Sequence, residues 1–154
     1  MSKRILRTER ETRVEYAAFS LGAFCLDSEP EDLPGIGADT VLATGRTVVV
    51  VRSQVAQHDA QVLVEVWDGE PGAGVDGELL GERVIEFPTG ILAVTDFWRT
   101  PMGEPIPLGA PGGYRIRVGR TNRFAPEDLP GLRAGSLEPV EAYHVQVWPA
   151  GTVG

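Results

Sequence analysis

Few residues in this 154-residue chain could do covalent chemistry. There are two histidines, His58 and His144, and one cysteine, Cys25. His58 stands beside Asp59 in a stretch that reads as a tight turn. His144 alternates with Tyr143 and Val145, so it is expected to project from the opposite face of a strand. A zinc site needs about three or four convergent ligands, which two histidines and a lone cysteine at no tight spacing do not supply. Five serines are present, none in a nucleophile-elbow motif. A dyad of Cys25 with a histidine rests on nothing beyond both residue types being there. Glu65 and Asp96 could pair for glycoside hydrolysis, but no spacing selects them. The expectation is binding rather than catalysis, with no cofactor and no metal.

The stretch from Asp68 to Glu78 has the acid and glycine content of a loose calcium loop. It lacks the regular alternation of acids that dedicated calcium loops use, so a solvated loop is the better reading. Three tryptophans, Trp67, Trp98 and Trp148, fall at the ends of expected strands. An exposed aromatic anchor in a protein interface is one use for them; burial in a second core layer or under a loop is the blander one.

Charge is more informative. The net charge is -8, from 14 basic and 22 acidic residues. Six carboxylates and no Lys or Arg lie between Arg13 and Arg46, and seven more between Arg52 and Arg83. The first thirteen residues carry five bases against two acids. Such segregation argues against a nucleic-acid backbone, which needs clustered positive charge. It suits a basic protein surface approached under electrostatic steering. No apolar run reaches the roughly 20 residues that span a bilayer. The basic N-terminus has no apolar stretch behind it, so it is not read as a secretion signal. A single cysteine excludes an internal disulfide and fits a reducing, cytoplasmic setting.

The elements that must hold these residues read as strands. Gly 19 and Pro 12 favour turns over long helices. Pro111-Gly-Gly opens into Tyr114-Arg-Ile-Arg-Val118, with Tyr114, Ile116 and Val118 on one face and Arg115 and Arg117 on the other. That alternation marks a half-buried antiparallel strand. The two arginines are expected to pair across strands with Glu141 or Glu65. Residues 1–12 read as an arm or weak strand, and 13–26 as one long strand. The four valines of Val48–Val51 imply a strand covered on both faces. Residues 47–57 and 61–67 are expected to form a hairpin. Further strands are expected at 41–44, 82–87, 91–98 and 140–148. Residues 27–39, 68–81, 99–110 and 121–138 read as loops, the third without interior pairing. The sum is all-β: a single-domain antiparallel β-sandwich of about eight strands over residues 13–150, with a closed barrel as the alternative.

Tyr16-Ala-Ala-Phe19, Gly113-Tyr-Arg-Ile-Arg-Val118 and the closing Glu141-Ala-Tyr-His-Val-Gln-Val-Trp-Pro149 resemble a widespread set of small, uncharacterised actinobacterial proteins. More distantly, the layout resembles the competence-associated inhibitor of the DNA-entry nuclease, and it does so over most of the chain. The resemblance implies a small cytoplasmic β-rich protein that binds and blocks a nuclease, and it brings no catalytic motif. Arginine supplies 13 of the 14 basic residues, which fits a high-GC genome.

Residues and resemblance together lead to an inhibitor or immunity-type protein for a nuclease or other toxin-like enzyme. Its basic partner would meet Asp27, Glu29, Glu31, Asp32, Asp68 and Glu70, with Trp67 or Trp98 as anchor. The alternative is a carbohydrate- or small-ligand-binding sandwich, calcium-assisted through Asp68, Glu70, Asp76 and Glu78. A third reading is a self-associating module, a homodimer in which residues 1–12 pair with a neighbour's sheet edge.

Overall fold

The computed structural model describes residues 2–14, 18–23, 41–53, 58–96, 101–122 and 141–150. Within them every regular element is a strand: β1 (Arg4–Val14), β2 (Ala18–Ala23), β3 (Leu42–Thr44), β4 (Val48–Arg52), β5 (His58–Trp67), β6 (Glu78–Phe87), β7 (Ile91–Thr95), β8 (Ile106–Pro107), β9 (Gly112–Asn122) and β10 (Glu141–Pro149). They form two five-stranded sheets, in the orders β1-β5-β10-β9-β6 and β3-β4-β2-β7-β8. The all-β sandwich is therefore observed, with ten described strands where about eight were expected. No helix among these residues is long and apolar enough to cross a membrane.

The core lies between the sheets. Val62, Val64 and Val66 of β5, Tyr143, Val145 and Val147 of β10, and Tyr114, Ile116 and Val118 of β9 point into it from the first sheet. Phe19 and Leu21 of β2, Val49 and Val51 of β4, and Leu92 and Val94 of β7 meet them from the second. Period-two alternation sends these residues inward and leaves their neighbours on the outer faces. Val48–Val51 is buried along its whole length, as its four valines implied, with Val50 packed against Ala18 and Ala43. Phe19 meets the Tyr143 ring edge-on, centroids 4.8 Å apart. Arg120, on an inward position of β9, reaches the Arg52 carbonyl of β4 at 3.4 Å and so ties the layers together.

Several local expectations are corrected by pairing partners that lie far away in sequence. Residues 13–26 do not form one strand. Arg13 and Val14 end β1 in the first sheet, and β2 starts afresh at Ala18 in the second. The expected hairpin of residues 47–57 with 61–67 is absent, because β4 and β5 belong to different sheets. β5 instead lies antiparallel to β1 and parallel to β10. The Pro88-Thr-Gly90 turn likewise carries the chain from one sheet to the other. Within the expected loop 99–110, Ile106–Pro107 pairs with β7, and Pro101 bridges to Thr95. Proline is tolerated there because β8 is an edge strand.

Phe19 is 1% exposed. Truncating Phe19 to Ala should lower the unfolding free energy by about 3–5 kcal/mol, whereas Val84→Ala, at 49% exposure, should change it by less than about 0.5 kcal/mol. Urea denaturation of the two variants checks the difference.

Candidate functional site

The parallel neighbour that β10 finds in β5 determines what the outer face of the first sheet carries. One row crosses all five strands: Arg7 opposite Glu65, Glu65 opposite Gln146, Gln146 opposite Arg117, and Arg117 opposite Glu82. The next row runs Glu9, Leu63, His144, Gly119 and Leu79. Polar groups from β5, β10, β9 and β6 thus meet side by side, although they come from far apart in the chain.

The loop between β5 and β6 folds down over these rows as a strap, residues 68–77. Its start is tied to the N-terminal segment: the Lys3 amide donates to Asp68 Oδ1 at 2.6 Å, and the Asp68 amide to the Lys3 carbonyl at 3.0 Å. Its middle is held by Gln146, whose Nε2 donates to the Ala73 carbonyl at 3.0 Å. Its end is held by His144, whose Nδ1 accepts from the Asp76 amide at 2.9 Å. Gly119 allows the close approach. A Cβ there would stand 2.5 Å from Val75 Cγ2 and 2.6 Å from the Asp76 carbonyl. Gly77 then turns the strap into β6 with φ +77, a left-handed conformation that costs glycine little.

Under the strap lies a satisfied polar cluster. His144 Nε2 is 2.6 Å from Glu65 Oε1, and Arg4 donates to Glu65 Oε2 at 3.1 Å. Because Nδ1 accepts from an amide, the ring proton of the neutral imidazole sits on Nε2 and is donated to Glu65. Glu65 is only 7% exposed. Burial raises its pKa, but hydrogen bonds from His144 and Arg4, the charge of protonated His144 and a hydrogen bond from Gln146 bring it below the ordinary carboxylate value. Arg117 links this cluster outward, donating to Gln146 Oε1 at 3.2 Å and to Glu82 Oε1 at 3.1 Å. Its guanidinium lies 4.7 Å from the centre of the Trp148 ring.

The sequence-predicted partners of the strand arginines are thereby corrected. Arg115 and Arg117 both pair with Glu82 of β6, and Gln146 stands between Arg117 and Glu65. Both guanidiniums share the one Glu82 carboxylate, which offsets part of the positive charge of their face. The four carboxylates considered for calcium are dispersed: Asp68 receives the Lys3 amide, Asp76 faces His144, Glu78 pairs with Arg120, and Glu70 is exposed. No group of three or more metal-ligating side chains comes together among the described residues. Trp67 is half-buried, and its indole N–H is buried without a hydrogen-bond partner. Asp27, Glu29, Glu31, Asp32, Trp98 and Cys25 lie outside the described residues. Sequence reasoning put His144 on the outer face but missed its pairing with Glu65, because nothing in the sequence announces that β10 runs parallel to β5.

Nearly the whole chain superposes on two solved structures. Against ComJ from Bacillus subtilis, an inhibitor of the DNA-degrading activity of NucA, the TM-score is 0.62 over 97% of this chain and 98% of ComJ, at 11% identity. The chain shares its fold with ComJ. The product of crocagin biosynthetic gene J aligns over 96% of this chain and all of its own, with a TM-score of 0.54 and 12% identity. No family model matches the chain, and no curated protein matches it in sequence. One neighbour is an inhibitor and the other the product of a biosynthesis gene.

The lowered Glu65 pKa has a definite consequence for stability. A carboxylate with a depressed folded value stabilises the fold above its unfolded value, about 4.3, and that contribution is lost as pH falls through the folded value. Urea midpoints measured between about pH 7 and pH 3 should therefore drop in the acid arm. Glu65→Gln should be less stable near neutrality and show a shallower acid arm.

Proposed function

We propose that this protein is a non-enzymatic inhibitor that binds a DNA-degrading nuclease through the acidic strap. The observation that carries the proposal is the strap itself. It displays Asp68, Glu70 and Asp76 without one basic residue, and three ties fix it before any partner arrives. The Asp76 side chain is 81% exposed. A preorganised acidic surface speeds encounter with a basic partner and avoids the entropy of ordering a loop on binding. The fold shared with ComJ supports a nuclease as the partner class. Arginine usage and the lone cysteine keep actinobacterial relatives and a cytoplasmic setting within the same reading.

A small ligand fits less well. A hollow of about 170 Å³ lies beside the strap, lined by residues that include Glu9, Leu63, Asp76 and His144. Ligand pockets commonly reach roughly 300–1,000 Å³, so this one suits a side chain of a protein partner better than a sugar.

The test is a DNA-degradation assay with NucA and with a nuclease of that type from the same genome as this protein. Stoichiometric loss of cleavage is expected with the cognate enzyme. The double variant Glu70→Gln, Asp76→Asn should associate about tenfold more slowly at low salt, with the difference shrinking as ionic strength rises. A folded protein that leaves both nucleases fully active would refute the proposal.

A further inference from the structure

His144 holds the strap through a hydrogen bond that only its neutral form can accept. We infer that protonation of His144 is a switch: it breaks the tie to the Asp76 amide and draws the Asp76 carboxylate to the imidazole instead. Both acceptor and replacement are in place. Nδ1 is 2.9 Å from the Asp76 nitrogen and 3.6 Å from Asp76 Oδ2. A proton on Nδ1 would face the amide hydrogen head-on, donor against donor, so the amide contact cannot survive it. The same proton has the carboxylate of the same residue as its nearest acceptor. The other ring nitrogen needs no rearrangement, because Nε2 already donates to Glu65 at 2.6 Å.

The charges around the ring are all accounted for. β5 contributes Glu65, β1 contributes Arg4 on Glu65 and Glu9 across the hollow, and the strap contributes Asp76. Opposite the ring, β9 presents Gly119, and Thr121 lines the same hollow. The cations on the same face are each taken up: Arg4 by Glu65, Arg7 by Glu9, and Arg117 by Glu82 and Gln146.

The consequence for binding has a sign, and this part rests on the nuclease-inhibitor reading. At neutral pH the Asp76 carboxylate stands out in solvent and is available to a basic partner. In acid it is drawn onto His144 and its charge is spent within the molecule. Partner binding therefore weakens as pH falls, beyond any effect on the fold.

Two measurements separate the switch from the inhibitor reading. In ¹⁵N-labelled full-length protein, long-range ¹H–¹⁵N spectra at pH 8 should show His144 protonated at Nε2 alone. The Asp76 amide proton should shift upfield on acidification with the same midpoint as the His144 ring. In Asp76→Asn, which keeps the amide and loses the carboxylate, that midpoint should move to lower pH. A neutral ring protonated at Nδ1, or an Asp76 amide that ignores the His144 titration, would overturn the switch whether or not a nuclease is ever inhibited. With an inhibited nuclease in hand, wild-type affinity should fall several-fold between pH 7.5 and 5.5, and the fall should be smaller in Asp76→Asn. Equal pH dependence in both proteins would overturn the coupling to binding.

Discussion

A carboxylate taken out of water must find hydrogen bonds or destabilise the fold. Glu65 is such a group, and much of the outer face of the first sheet answers it. His144 and Arg4 each donate to one of its oxygens, and Gln146 adds another hydrogen bond. These groups are in turn oriented. Gln146 is fixed between Arg117 and the Ala73 carbonyl, and His144 between Glu65 and the Asp76 amide. The strap is thus part of the satisfaction of a buried charge, and its position follows from that of Glu65. Removing one partner would leave the rest half-satisfied, which is worse than having no network.

The arrangement also explains how an acidic loop can be rigid. A run with four carboxylates, four glycines and no base from 68 to 78 has every reason to be solvated and loose. Gln146 and His144 hold it by its backbone, and among these ties only Asp68 uses its carboxylate, to receive the Lys3 amide. Glu70, Asp76 and Glu78 keep much of their surface in water while the chain between them is fixed. A mobile acidic loop could steer a partner but would have to order on binding; this one can do the first without the second.

The sandwich was legible in the sequence because alternation is a local signal. Tyr114-Arg-Ile-Arg-Val118 and Val62–Trp67 declare their inward and outward faces within a few residues. Pairing is not local. The hairpin expected between residues 47–57 and 61–67 failed because consecutive strands, which usually pair, here enter different sheets. The Glu65–His144 contact spans 79 positions and exists only because β5 and β10 run parallel in register. Gly119 carried a legible hint, a glycine inside a strand that marks close backbone approach. Its meaning appears once the strap is seen lying on it. The pairing of Arg115 and Arg117 with Glu82 was missed for the same reason, since strand neighbours had to be known first.

The central claim is that the acidic strap is fixed in the free protein. Backbone ¹⁵N relaxation measures this directly. Order parameters for residues 73–76 should approach the rigid value of about 0.85. In Gly119→Ala, whose added methyl must push the strap away, they should fall. Values below about 0.6 in the unmodified protein, equal to those of the variant, would contradict the account.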